Sequence, residues 1–257
     1  MALNPLLEKF VIVLNRPRTP ENIGAAARAA SNMGIRTLIV VDPENLDPER
    51  MRKMATHKAA HIVNAMKVYP DIKEALFDFG YVVGMTTRTG GIRKPILTPR
   101  EVAPGLFKYA PQNKIALLFG AEDKGLTNEE IRLCHQLVKI STAEFSSLNL
   151  AQAVMVICYE IFLASFRSSE QPVSELATSG ELERMYEKVK DIFIKISFIQ
   201  PDNPDHWMMN IRRFFARIGL RSNDVDLIMG ICRQVEWYGK ASRQREEKCS
   251  EAEKTSL

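Results

Sequence analysis

FVIVLNRPRTPENIGAAARAASNMGI, residues 10–35, holds a strand, a turn and the start of a helix in one stretch. FVIVLN is a short, continuously apolar, β-branched run, the pattern of a strand buried on both faces. Thr19-Pro20 then supplies an N-cap residue and a proline at the first helical position. The helix that follows carries Ala25, Ala26, Ala27, Ala29 and Ala30, a surface small enough for another backbone to approach closely. The alanines do not account for Asn22 or Arg28. A long cation in an alanine helix needs a partner, an acid or a phosphate.

The same alternation continues outward. TLIVV (37–41), YVVGM (81–85), KIALLF (114–119) and QLVKI (136–140) read as further strands, and IVNAMKVY (62–69) as another. Helical patterns separate them, and Thr127-Asn-Glu-Glu130 is a capping box opening a helix through Leu133. Strands alternating with helices define an α/β fold with a parallel sheet over residues 1–167. Composition changes at SSEQPVSELATSG, so 168–180 reads as a linker. A second capping box, Thr178-Ser-Gly-Glu181, starts a small helical extension over 181–241. The tail, 242–257, has the composition of a disordered segment.

The 257 residues are 46% hydrophobic and 26% charged, ordinary for a globular chain. Glu160 interrupts the longest apolar run, so no membrane span is expected, and the N-terminus has no signal-peptide pattern. Cys134, Cys158, Cys232 and Cys249 are scattered. They suit neither a zinc site nor a disulfide framework, and fit a reducing cytosol. His57, His61, His135 and His206 are equally scattered and form no nucleophile arrangement. A net charge of +4 is mild, but Arg212, Arg213, Arg217 and Arg221 cluster in the extension, followed by Arg233, Lys240, Arg243 and Arg245.

LLFGAEDKGLTNEE (117–130) ends a strand in a glycine loop. Its Gly120 and Gly125 have P-loop spacing, but Leu126 stands where the phosphate-binding lysine belongs. Glu122 and Asp123 would repel a triphosphate. The loop suits a ligand without phosphates, and a simple β–α turn would leave Glu122 unexplained. No G-x-G-x-x-G follows a strand; Gly90-Gly91 lies in a loop with Arg88, Arg93 and Lys94. FSSLNLAQAVMVICYEIFLA (145–164) is an apolar helix with a polar entrance. Ser146 or Ser147 would suffice to cap it, so two serines and Asn149 suggest that a ligand meets the helix N-terminus.

Taken in order, NRPRTPENIGAAARAASNMGI, IALLFGAEDKGLTNEE and ISTAEFSSLNLAQAVMVICYE closely resemble the three signature motifs of the SPOUT-class RNA methyltransferases. Within that class the resemblance is to the TrmH/TrmJ branch, which methylates ribose 2′-hydroxyls, and it covers about residues 8–167. The helical extension more loosely resembles that of the TrmJ type. The resemblance implies a C-terminal deep trefoil knot, an exception to unknotted chains. It implies S-adenosylmethionine held by Met85, Thr86, Thr87, Gly120, Ile140, Ser146, Ser147 and Leu148. It places Asn22, Arg28, Glu122, Ser147 and Asn149 in the catalytic set, without a metal. It also implies a cytoplasmic homodimer in which Arg28 works beside the partner's cofactor, and a tRNA substrate modified at the conventional anticodon-loop position 32. Arg88, Arg93, Lys94, Arg212, Arg213 and Arg217 are the expected RNA contacts. Ribosomal RNA or another tRNA position is the alternative target. A non-catalytic RNA-binding protein of the same fold is disfavoured because the whole motif set is intact.

Overall fold

The computed structural model describes residues 3–87, 95–143, 147–166, 175–200 and 202–255, the last fourteen of these as backbone only. It divides into two compact units, residues 1–180 and 181–257. In the first, a 3-10 turn (Pro5–Lys9) leads into β1 (Phe10–Asn15), α1 (Pro20–Asn32), β2 (Thr37–Val41), α2 (Pro48–Ala65) and β3 (Lys67–Tyr69). There follow α3 (Ile72–Leu76), β4 (Tyr81–Met85), β5 (Ile96–Leu97), α4 (Pro99–Leu106) and β6 (Ile115–Phe119). The unit continues through α5 (Asn128–Leu133), β7 (Gln136–Val138) and α6 (Leu150–Ala164). The seven strands form one sheet in the order β3-β2-β1-β6-β4-β7-β5, every pairing parallel.

Strand β1 shows why the apolar runs are continuous. Phe10, Ile12 and Leu14 enter the core on one face, with α1, α2, α4 and α6. Val11 and Val13 enter the core on the other, with α3 and α5. Side chains alternate across a strand, so a strand covered twice must be apolar at every position. Each such fully buried aliphatic or aromatic side chain contributes roughly 1.5–3 kcal/mol relative to exposure.

The small surface of α1 has the use its composition suggests. A Cβ built on Gly24 would lie 2.0 Å from the Met51 carbonyl oxygen, so α1 and α2 meet backbone to backbone there. Helix α2 is itself broken at Thr56, whose φ of 61° and ψ of 169° are not helical. The bend brings Arg52 Nε within 3.0 Å of Asn64 Oδ1, twelve residues on. In a straight helix those positions would be about 18 Å apart.

Several expectations are corrected. Residues 62–65 finish α2, and only 67–69 of the expected 62–69 strand are extended. A short apolar run does not by itself distinguish helix from strand, and Ile62 and Val63 are buried here by helix packing. The strand expected at 136–140 stops at Val138, and a two-residue strand, β5, pairs beside it. Thr19 occupies the N-cap of α1 without a side-chain cap bond.

The second unit packs α7 (Ser179–Lys195), α8 (Pro204–Ile218) and α9 (Ser222–Thr255). The backbone of 242–255, expected to be disordered, continues α9 to Thr255. Met185, Tyr186, Val189 and Ile192 bury one stripe of α7, joined by Met208 of α8 and by Val225 and Cys232 of α9. Glu236 on α9 accepts from Lys188 Nζ and Lys195 Nζ on α7, each at 2.6 Å. These two ammonium groups hold its carboxyl down at about 2, against an ordinary 4.5.

Two predictions follow from this packing. Gly24→Ala should lower the urea midpoint by an overpacking cost of about 1–3 kcal/mol, because a methyl has no space beside Met51; an unchanged midpoint would show that α2 can retreat. A depressed carboxyl contributes stability above its unfolded value, and that contribution fades as pH falls through the folded value. The gap in melting temperature between the wild type and Glu236→Gln should therefore be full above pH 4.5 and close towards pH 2.

Candidate active site

A parallel sheet puts all strand carboxyl ends on one edge, and loops there meet without further design. Strands β1, β6, β4 and β7 are consecutive neighbours. The loops that leave them carry the residues of all three motifs.

The carboxylate of Glu122, after β6, is the hub. Its Oε2 accepts from the Arg18 amide at 3.0 Å. Its Oε1 accepts from the Thr19 amide at 3.4 Å and from Asn22 Nδ2 at 3.1 Å. The charge thus sits at the N-terminus of α1, where the helix dipole favours it. Asn22 Oδ1 then accepts from Asn149 Nδ2 at 2.8 Å. Asn149 Oδ1 accepts from the Ala151 amide at 2.9 Å, and Gln152 Oε1 accepts from the Asn149 amide at 3.3 Å. One chain of hydrogen bonds therefore joins the three motifs.

The polarity of this chain follows from its first member. A carboxylate only accepts, so Asn22 must turn its NH₂ towards Glu122 and its oxygen towards Asn149. Asn149 must then donate to Asn22, which leaves its own oxygen to cap α6. Asn149 is thus the cap of that helix, in a capping box with Gln152, and Ser147 is free of that duty. Ser147 is exposed and makes no hydrogen bond among the described residues.

Ion pairs fasten the same two loops from outside. Arg18 Nη1 lies 3.0 Å from Asp123 Oδ2, and its Nε 3.0 Å from Glu44 Oε1. The hydrogen bond and charge of Glu44, helped by Asp123, raise the Arg18 pKa above the ordinary guanidinium value. Arg16 pairs with Glu130, whose other oxygen accepts from the Thr127 amide at 2.8 Å. A cation facing the acidic loop is the chain's own Arg18. Gly120 serves the loop's closure: a Cβ there would lie 2.1 Å from the Gly125 carbonyl carbon. The Gly125 amide donates to Ala121 O at 2.8 Å, with Gly125 at a φ of 63°. Leu126, in the place of a P-loop lysine, is core.

The expected cofactor residues lie around the adjacent ends of β6, β4 and β7. Met85 and Thr86 are buried, Gly120, Ile140 and Leu148 half-buried, and Thr87 exposed. The Thr86 amide donates to Val138 O at 2.9 Å, locking the β4 and β7 exits together. Ser146, Arg88, Arg93 and Lys94 lie outside the described residues. Arg28 stands apart. It is exposed, six residues beyond Asn22 and on a different side of α1, with no ion pair or hydrogen bond among the described residues. Glu122 orders the entry to α1, and not Arg28. Of the extension arginines, Arg212 pairs with Glu183 and lies 4.2 Å over the Tyr186 ring, so it is employed inside the bundle. Arg213 and Arg217 have no acidic partner among the described residues.

Arg16, Arg18 and Asn15 also belong to this edge, though no motif singles them out. Asn15 is 3% exposed at the carboxyl end of β1, and its Nδ2 has no hydrogen-bond partner among the described residues. The available signal was a polar residue closing a wholly apolar run, which marks a strand end pointing at something other than core.

Comparison with known proteins defines the class first. A family model described as the SpoU rRNA Methylase family matches residues 9–159, and one described as tRNA methyltransferase TrmJ, C-terminal domain, matches residues 180–248. A tRNA (cytidine/uridine/adenosine-2′-O-)-methyltransferase TrmJ of Pseudomonas aeruginosa is 36% identical over 240 residues, covering 88% of this chain and 93% of its own. A tRNA (cytidine/uridine-2′-O-)-methyltransferase TrmJ of Escherichia coli is 33% identical, covering 93% of this chain and 99% of its own. The crystal structure of TrmJ from Z. mobilis superposes with a TM-score of 0.77 at 28% identity, over 88% of this chain and 98% of that one. The chain belongs to the SpoU methylase family, with a C-terminal domain of the TrmJ type.

Replacing Glu122 tests the hub. Glu122→Ala should cost about 1.5–3 kcal/mol in urea unfolding, the range for bonds to a charged acceptor. Glu122→Gln, though isosteric, should cost a similar amount, since its NH₂ would face donors. Full stability in the glutamine variant would mean that shape, not acceptor capacity, fixes the loop.

Proposed function

We propose that this protein is an S-adenosylmethionine-dependent tRNA 2′-O-methyltransferase that works in the cytoplasm as a homodimer. The observation that carries the reading is the hydrogen-bonded chain Glu122–Asn22–Asn149, which draws the three motifs together at one sheet edge. The match of residues 180–248 to the TrmJ C-terminal domain favours tRNA. The name of the family matched by 9–159 keeps ribosomal RNA as the second reading. Cytidine or uridine at position 32 is the finer target that the resemblance implies.

The residues fit the cofactor. Met85, Ile140 and Leu148 offer apolar walls, and the loop amides and carbonyls offer neutral partners. Buried Leu126 removes the cation that a phosphate would need. When bound, S-adenosylmethionine supplies an electrophilic methyl on a sulfonium. The chain's residues must orient a ribose hydroxyl in line with it. Ser147, left free by the Asn149 cap, is the group available to meet that ribose. Arg28 binds a phosphate or stabilises the developing alkoxide. With a pKa above about 12, it is a poor base at neutral pH.

A homodimer is supported by α6, which is apolar nearly all round. Its inner face is Leu150, Val154, Ile157, Cys158 and Ile161, while Tyr159 stays 46% exposed. Such a helix belongs under cover on both sides. The unpaired Arg28 is the group to reach across to a neighbour's site. The sheet order, with β6 between β1 and β4 and β7 between β4 and β5, supports the trefoil-knotted topology of the class.

Labelled S-adenosylmethionine with bulk tRNA and rRNA, followed by mapping of the ribose, tests the reaction. Label in tRNA at an anticodon-loop pyrimidine is expected; label in rRNA alone would transfer the assignment to the second reading. Arg28→Ala should lower turnover at least about a hundred-fold while S-adenosylmethionine affinity, read by calorimetry, stays within about two-fold. Mixing Arg28→Ala with Ser147→Ala protomers should restore part of the activity that each lacks alone. No recovery in verified mixed dimers would confine Arg28 to its own protomer's site.

A further inference from the structure

The outer surface of α9 carries an arrangement that the proposed chemistry does not use. Cys232 and Glu236 mark the side turned to α7, since Cys232 is buried and Glu236 is held by Lys188 and Lys195. At about 100° per residue, the remaining positions divide into two flanks. One carries Leu227, Ile231 and Tyr238, all exposed apolar or aromatic groups. The other carries Arg233, Trp237 and Lys240, within about 60° of one another on the helix wheel. Trp237 is 60% exposed and makes no ring contact among the described residues. Arg233 and Lys240 are exposed, with no acidic partner among the described residues. Among the described side chains, the acid on this flank is Asp226, two turns before Arg233 and outside the aromatic-cationic stretch.

A tryptophan is costly to leave in water, because its ring holds one of the largest apolar surfaces of any side chain. A purely structural account would have it buried, and a plain solvated face would not contain it. A second copy or an apolar peptide would find the Leu227–Ile231–Tyr238 flank more suitable, because among the described side chains it presents apolar and aromatic groups with no cation between them. Two cations framing a free indole instead match a chain with phosphates at its edge and unstacked bases inside. Guanidinium and ammonium meet phosphate oxygens, while the ring takes a base face without regard to its identity.

We infer that Arg233, Trp237 and Lys240 form a binding stripe for an unpaired segment of the RNA substrate, with Trp237 as the stacking platform. The inference rests on the tRNA reading above and adds to it the element that holds a looped-out nucleotide. Because Trp207 is the chain's other tryptophan, Trp207→Phe leaves Trp237 as the single indole.

The test uses the full chain carrying Trp207→Phe, titrated with tRNA. Trp237 emission should be quenched as the complex forms. In the wild-type background, Trp237→Ala should weaken tRNA binding by about five- to hundred-fold, the range expected for loss of one base stack. Trp237→Phe should keep affinity within about three-fold, since a ring remains. Arg233→Gln with Lys240→Gln should reduce the dependence of log affinity on log salt by about one to two. Unchanged emission at saturating tRNA, or wild-type affinity in Trp237→Ala, would overturn the inference. So would a change of sedimentation mass in Trp237→Ala without RNA, because the stripe would then face another copy. If quenching occurs but no methyl reaches tRNA, the enzymatic reading fails and the RNA stripe stands. If methylation proceeds while Trp237→Ala binds normally, the reverse holds.

Discussion

The carboxylate of Glu122 is the constraint on which the site depends. Its two oxygens accept from two main-chain amides and one side-chain amide of the β1–α1 segment. No neutral residue offers the same number of acceptor positions without also presenting a donor. Because the carboxylate has one polarity, it dictates the orientation of Asn22 and, through Asn22, of Asn149. A loop after β6 thereby sets the entrance of α6, whose sequence lies more than twenty residues further on. The ion pairs of Arg16 and Arg18 hold the same loops together. The Arg18 pair is open to solvent and individually weak. It restrains the loop, whereas the carboxylate decides which atoms face which.

That arrangement needs α1 to be placed closely, and the small residues provide it. Gly24 lets the Met51 carbonyl approach to a distance any side chain would forbid. With Ala26, Ala27, Ala29 and Ala30 in the core, α1 lies low against its neighbours. A bulkier helix would lift Asn22 away from both Glu122 and Asn149. Packing and polarity are thus coupled. The alanines set the height of the helix, and the hydrogen bonds set its entry.

The architecture was legible because a doubly covered sheet leaves a strong mark: uninterrupted apolar runs such as FVIVLN, which a helix start follows. What failed were positions where local pattern admits two periods. Ile62 and Val63 fit a strand as well as a helix, and packing decided for the helix. Two-residue β5 was invisible, since its existence depends on β7 lying beside it. The motifs drew attention to Asn22, Glu122 and Asn149, which the structure brings together, but their wiring was not legible. Glu122, which a simple β–α turn leaves unexplained, orders the Arg18–Asn22 turn. Asn149, and not a serine, caps α6. Both outcomes depend on which side chains the sheet edge brings within 3 Å or so, and no local spacing encodes that.

The charges that remain unmatched are the informative ones. Inside the first unit, Arg16, Arg18, Arg50 and Arg100 each have an acid of the same chain. Arg28 has none among the described residues, although it sits on the most closely packed helix of the fold. A cation retained on such a helix cannot be there to fill space, because the helix is otherwise built to occupy as little as possible. Nor can it stabilise its own chain through an ion pair it does not make. On the proposed reading, that guanidinium is directed outside its own protomer, to an anion such as a phosphate of RNA or the oxygen that gains charge as its methyl arrives. Arg212 differs in this respect from Arg213 and Arg217. Arg212 is paired with Glu183 and seated on Tyr186, so it supports the bundle, while Arg213 and Arg217 have no acidic partner among the described residues and on the proposed reading meet RNA phosphates.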